Sequence, residues 1–210
     1  MQNPVIILGA SGLGSVALDI FQSNKVVVFG FLDDNAKLHN TTIDGITVLG
    51  STDDEGFTKL IGKKCEAFVA VDDTKYRKNL VEMLNEVRKV MPINAIHATA
   101  FISPTASLGH GSMIGAGAII NTHAQIGNHL IIHAKAVIDY NAQIGDFVQI
   151  GAGSVIGAGA KIEEGAFIGS GATIVAGITV GKNARVGAGS VVVETVTARA
   201  TVFGNPAKAV

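Results

Sequence analysis

The chain has 210 residues, of which 26 are Gly, 4 Pro, 1 Cys and none Trp; 16% are charged and the net charge is −1. A balance so close to neutral leaves no electrostatic footprint for nucleic acid or an anionic membrane surface, and the lone Cys65 excludes a disulfide framework or a cysteine-based zinc cluster. No apolar run approaches the ~20 residues of a membrane span, and the N-terminus leads into a strand without a basic signal-peptide flank, so a soluble cytoplasmic chain with no membrane insertion is expected.

Residues 5–8 form a short apolar run. Gly9-Ala10-Ser11-Gly12-Leu13-Gly14 follows, then Val16, Ala17, Ile20 and Phe21 at helical spacing. Residues 26–32 read as a second strand ending in Asp33-Asp34, 67–71 as a third, and 76–90 as an amphipathic helix with Leu80, Met83, Leu84 and Val87 on one face. Strands alternating with helices imply a small parallel α/β sheet. Composition changes near residue 101: the first part holds 22 of the 33 charges and 8 of the 26 glycines, leaving 11 charges and 18 glycines for the rest.

The second part is a repeat. Stepping by six from Ile102, every position through Val192 is Ile, Leu or Val, and the residue four beyond each anchor is nearly always Ala or Ser. Six fits neither a helix nor a hairpin ladder. It fits a solenoid whose coil is a triangle of three hexads, or 18 residues. If anchor and small residue both point inward, the residue between them points outward. Three outward columns result: Ile119, Val137, Val155, Thr173, Val191; then Met113, Ile131, Gln149, Phe167, Arg185; then Ser107, Gln125, Gln143, Lys161, Thr179. An aliphatic stripe along a prism calls for a partner, so self-association is expected through the first face and part of the second.

Hexad anchors behind a Gly-Ala-Ser-Gly-Leu-Gly turn, the junction 96–104 and the tail Gly204-Asn205-Pro206-Ala207-Lys208 together resemble the sialic acid O-acetyltransferase and nucleotide-amino-sugar N-acetyltransferase family over essentially the whole chain. The resemblance implies an α/β N-terminal Rossmann-like domain over residues 1–98 that holds a sugar or nucleotide sugar. It further implies an all-β left-handed parallel β-helix over 99–210 that forms a homotrimer and takes acetyl-CoA as acyl donor, without a metal. The activity implied is acyl transfer to an amino or hydroxyl group of a sugar in bacterial surface-glycan biosynthesis.

Carried over position by position, Ser11, Gly12 and Leu13 fall in the phosphate-side turn, where bare backbone faces an anion; the family often has His where this chain has Leu13. Asp33 and Asp34 fall on the acidic pair that contacts ribose or base. Asp72 falls beside the ligand after the third strand, where the family commonly has Gly and where a carboxylate repels pyrophosphate. Gln149, Ser170, Ala188 and Lys208 fall on acetyl-CoA positions, Gln149 replacing a His near the thioester; Lys208 faces the coenzyme phosphates or is a solvated terminal lysine. The His-acid pair of the catalytic hexad falls on Tyr140 and Asn141, and the preceding Asn-Thr-Gly corner on His133-Ala134-Lys135.

A phenol holds its proton at neutral pH, whereas an imidazole exchanges it there. Tyr140 therefore reads as a hydrogen-bond donor or an interface cap, and His123, one coil before Asn141, as either a relocated base or a surface corner residue. The spacing of His129 and His133 argues against both ligating one metal within a subunit, which weakens a carbonic-anhydrase-like zinc reading. The competing expectation is a member that has lost or altered catalysis, keeping the trimer as a ligand-binding or assembly protein.

Overall fold

The computed structural model describes residues 3–210, in two compact units, one ending at Ala98 and the other spanning Thr99–Val210. The first unit is built on β1 (Val5–Leu8), whose four residues are all fully buried. Helix α1 (Gly12–Ser23), strand β2 (Val28–Leu32), the short β3 (Thr42–Ile43), β4 (Ile46–Gly50), α2 (Glu55–Thr58), β5 (Glu66–Val69) and α3 (Thr74–Met83) follow. The sheet order is β3-β4-β2-β1-β5, with β1 parallel to both β2 and β5. A central parallel strand is covered on both faces, which is why it reads as an unbroken apolar run. Helix α1 buries Leu13, Ala17, Leu18, Ile20 and Phe21, and Phe21 meets Phe68 edge to face at 5.7 Å.

Two local features differ from the sequence expectation. The hairpin β3–β4 was not anticipated, although Asp44 and Gly45, both at positive φ, form the Asp-Gly turn that favours one. The last helix is regular only to Met83, continues as a π turn over Leu84–Arg88 and stops at Lys89 in the left-handed conformation. Arg77, 1% exposed, closes the β5–α3 turn by donating from Nη1 to the carbonyls of Val71 (2.7 Å) and Asp72 (3.1 Å). Burial lowers its pKa to about 10, against the opposing pull of Asp72 and Asp73, so it remains a cation at neutral pH.

The second unit is a three-faced solenoid. Two-residue strands recur every six residues from Phe101–Ile102 to Val191–Val192, and through Thr173–Ile174 each pairs in parallel with the strand 18 residues on, as in Ile119↔Val137 and Val137↔Val155. Face one carries outward positions 101, 119, 137, 155, 173 and 191; face two 113, 131, 149, 167 and 185; face three 107, 125, 143, 161 and 179. Anchors such as Ile120, Ile138 and Ile156 are fully buried, together with Ala118, Ala136 and Ser154. The buried serines are satisfied: Ser112 Oγ accepts from Leu130 N at 3.0 Å and Ser154 Oγ donates to Gly169 O at 2.9 Å. Beyond Val192 the period slips by two, so face three continues at Val196 and face two at Thr201–Gly204, against which Ala207–Ala209 folds back antiparallel.

On face one Phe101, Ile119 and Val155 are exposed. On face two Met113 and Ile131 are 0% and 2% exposed.

The glycines fall into two classes. Nine follow an anchor directly (109, 115, 127, 145, 151, 157, 169, 181, 187), where an added Cβ would come within 2.7 Å of another turn of the chain. Eight sit at corners with φ between 64° and 74°. Gly157→Ala is expected to lose about 1–3 kcal/mol by overpacking, because its Cβ would lie 2.6 Å from the amide N of Ala176. Gly159→Asn at an open corner is expected to lose less than about 1 kcal/mol, since Asn141 and Asn183 already adopt that conformation. Scanning calorimetry compares the two; equal losses would contradict the division.

Candidate active site

In the first unit the glycine turn links β1 to α1. Gly9 (φ 111°) must lack a Cβ because one would meet Ala70 O at 2.4 Å, whereas a Cβ on Gly12 would meet nothing within 4 Å. Ser11 precedes α1 in an extended conformation without a side-chain capping bond. The first turn therefore opens to solvent past Ser11 and Gly12, with the N–H groups that a helix start leaves unpaired. Leu13 is 5% exposed and belongs to the core.

Both acids after β2 are already engaged. Asp33 Oδ2 accepts from Ala10 N at 2.7 Å and Oδ1 from Asn35 N at 2.8 Å, which ties the strand end to the glycine turn. Asp34 Oδ1 accepts from the backbone N–H and the hydroxyl of Thr52, both at 2.8 Å, and Oδ2 accepts from the Tyr76 hydroxyl. Partial burial acts to raise the Asp34 pKa, but the bonds from Tyr76 and Thr52 and the nearby His39 outweigh it and hold the carboxyl below its usual range. Burial and the bond to Asp34 push Tyr76 up to about 12. Asp72 is exposed, and its neighbour Asp73 caps α3 by accepting from Tyr76 N at 2.7 Å. The turn, Asp33 and the Asp34–Thr52–Tyr76 cluster thus form one braced strand-end constellation.

In the second unit the strands only position corners and outward columns. Tyr140, Asn141 and His123 share the edge between faces one and three: Asn141 N donates to Thr122 O at 3.1 Å, and the Asp139 carboxylate beside them accepts from Tyr140 N at 2.8 Å and Asn121 Nδ2 at 3.1 Å. Tyr140 is 51% exposed. Ser170 and Ala188 lie on the opposite edge of face one, where it meets face two, stacked with Ala134 and Ala152. Gln149 faces outward on face two beside that edge, and its Nε2 lies 3.3 Å from His133 Nε2. Lys208 is exposed on the terminal strand, paired in register with Phe203, whose ring lies against Gly187. One chain therefore brings the catalytic candidates together on one edge and the coenzyme candidates on another, separated by the width of face one.

Backbone conformation marks the same coils. Five consecutive corners hold His123, His129, Lys135, Asn141 and Phe147 at φ 57–60°, where most other solenoid corners use Gly. Left-handed backbone costs most non-glycine residues of order 1–2 kcal/mol, Asn less, and such outliers cluster at functional sites. The sequence offered Gln149 as an acetyl-CoA contact and His133 as a replaced corner residue and a disfavoured metal ligand, but did not pair them; the coil register does. Among the described residues no group of three or more His, Cys, Asp or Glu could hold a metal, and no helix is long and apolar enough to cross a membrane.

Residues 4–84 match the PglD N-terminal domain, and residues 123–158 and 159–193 match bacterial transferase hexapeptide repeats. The whole chain superposes on a point mutant of perosamine N-acetyltransferase from Caulobacter crescentus, solved in complex with CoA and GDP-perosamine, at a TM-score of 0.91 and 30% identity, covering 98% of that chain. The chain belongs to the family of sialic acid O-acetyltransferases and nucleotide-amino-sugar N-acetyltransferases. The acetyltransferase domain of PglB from Neisseria gonorrhoeae FA1090, solved with acetyl coenzyme A, matches over 100% of both chains at 26% identity and a TM-score of 0.90. WeeI from Acinetobacter baumannii AYE shares the fold at 24% identity and a TM-score of 0.68 over 100% of both chains. Among curated protein sequences no significant match is found. The N-terminal Rossmann-like domain and the β-helix of parallel hexads are thus features this family member shares with its neighbours.

The Asp34 cluster has a testable signature. Because the folded carboxyl is held low, its contribution is present above the unfolded carboxylate pKa of about 3.9 and is lost as pH falls through the depressed folded value. Tyr76→Phe is expected to lower the thermal midpoint at pH 7 and to converge on the parent protein as pH falls through the depressed folded value; a difference constant with pH would contradict the bond's role.

Proposed function

We propose that this chain transfers the acetyl group of acetyl-CoA to the amino group of a nucleotide-linked sugar, as a cytoplasmic homotrimer serving bacterial surface-glycan synthesis. The observation that carries the proposal is full-length structural agreement, at 30% identity, with an N-acetyltransferase holding both CoA and a nucleotide-linked amino sugar. The open α1 start with its Asp33 and Asp34 braces is read as the acceptor-binding end, in a substrate domain of residues 1–98. Residues 99–210 are read as the coenzyme-binding β-helix, left-handed as in the family.

Acetyl transfer requires the acceptor nitrogen to attack the thioester carbonyl while a donor meets the developing oxyanion. Tyr140, an exposed phenol, is assigned the donor role, with Asn141 and His123 bordering it on the same edge. Along the opposite edge the backbone beside Gly153, Gly171 and Gly189 is open, with nothing within 4 Å of a Cβ. That bare edge, with Ser170 and Ala188, suits an extended pantetheine arm. Gln149 flanks its early end and Lys208 lies by the tail, suited to the phosphates. An amine acceptor tolerates a weak base better than a hydroxyl, because part of its population is already deprotonated.

Thiol release from acetyl-CoA, assayed over a panel of nucleotide-linked amino sugars that includes GDP-perosamine, is expected to be saturable for at least one acceptor. No turnover with any of them, together with turnover created by Tyr140→His, would replace this reading with that of a non-catalytic trimer. Sedimentation equilibrium at micromolar concentration is expected to give a trimer that Val155→Asp on face one dissociates; a monomeric parent protein contradicts the assembly.

A further inference from the structure

The solenoid holds four imidazoles, His110, His123, His129 and His133. His129 is 5% exposed and stacks on Phe147 with ring centroids 4.9 Å apart, which removes it from any substrate. His110 and His123 are exposed corner residues tied by backbone bonds, to Asn128 Oδ1 at 2.9 Å and Thr105 Oγ1 at 3.3 Å, and among the described residues their rings have no side-chain partner. His133 is half-buried, reachable from solvent, and oriented by the side chain of Gln149 at 3.3 Å.

Its position matters as much as its orientation. His133 opens the corner that holds Ala134 and the left-handed Lys135, and Ala152, Ser170 and Ala188 stack above Ala134 on later coils. From Ala188 to Ala134 is three coil steps, about 14 Å, within reach of an extended pantetheine arm. A coenzyme with its phosphates toward the tail would present its thioester at the coil of His133.

We propose that His133, held by Gln149, is the imidazole that carries the proton during acetyl transfer; the inference rests on the acetyltransferase reading above. The acceptor nitrogen's lone pair forms the N–C bond to the acetyl carbon and the C–S bond breaks. The proton released by nitrogen passes to the imidazole and from it to the departing thiolate sulfur, which leaves an amide, CoA thiol and a neutral ring. Gln149 is a positioning residue. Its amide N–H donates to a bare Nε2, and a flip of the amide presents Oε1 to accept from a protonated Nε2. A neutral partner thus holds the ring in both states, whereas a carboxylate would favour the imidazolium.

The test is steady-state thiol release with the full chain and an amino-sugar nucleotide that the parent enzyme turns over. His133→Ala and His133→Asn are both expected to lower kcat by about 10²–10⁴-fold with acetyl-CoA affinity unchanged by calorimetry. Gln149→Glu is expected to move the acid limb of the kcat–pH profile to higher pH, since it stabilises the protonated ring. Parental kcat in His133→Ala overturns the proposal, whatever His123→Ala does. If the parent protein turns over no acceptor, the function reading falls by itself. The placement of His133 is then read from its ring NMR signals during titration with acetyl-CoA: a shift upholds it, and no shift, including through lack of binding, overturns it.

Discussion

Coils of this solenoid are held at the spacing of a backbone hydrogen bond, and nearly every other feature of residues 99–210 follows from that distance. Bonds such as Ile131 N to Val148 O at 3.0 Å and His133 N to Ile150 O at 2.9 Å join each coil to the next. Parallel strands at about 4.8 Å leave no room for a Cβ where the chain leaves a strand, hence the glycines after Ile150, Ile156 and Ile168. They force identical triangles to stack in register, so the interior repeats one aliphatic and one small residue per hexad and has no use for Trp. Outward positions are left almost unconstrained by the core.

That asymmetry explains what could be read from the sequence. The anchors from Ile102 to Val192 fixed coil length, faces and inward residues, because each is a packing requirement written in residue type. The slip to Val196 and Val202 was not legible, since the terminal coil is closed by an antiparallel strand that no repeat encodes. In the first unit the turn at Asp44-Gly45 carried a hairpin signal that went unread beside the stronger strand-helix alternation. Helix α3 was drawn too long because the apolar spacing through Leu84 and Val87 persists across the π turn, where the backbone bonding changes but the side-chain pattern does not.

The acidic residues of the first unit show the opposite problem. Asp33 and Asp34 stand at the end of β2, and the sequence resemblance alone assigns them to a ligand. In the structure each oxygen accepts at least one bond from the protein itself: Ala10 and Asn35 on Asp33, Thr52 and Tyr76 on Asp34. Such carboxylates hold the glycine turn and the β4 end in place, and what they offer a ligand is their remaining lone pairs. A sequence shows which acids are present but not which of their oxygens the fold has already claimed.

Catalytic chemistry was the least legible for a related reason. In a core, replacing one residue is felt by its neighbours; on an outward column or a corner, a side chain is exchanged with little consequence for the coil. A site built there drifts in position while the scaffold stays readable. Tyr140 and Asn141 alone suggest a lost site, because a single column is being compared with a single column. The left-handed backbone at His123, His129, Lys135, Asn141 and Phe147 argues otherwise, since five successive corners carry side chains where glycine would relieve strain. The bond between His133 and Gln149, sixteen residues apart in sequence, joins a corner to the next coil's face. An imidazole with an orienting partner is therefore still present in the coils that hold Tyr140, displaced to the other edge of face one. Two edges of one prism cannot both reach a single acceptor within the chain, so a site that uses both requires a second copy.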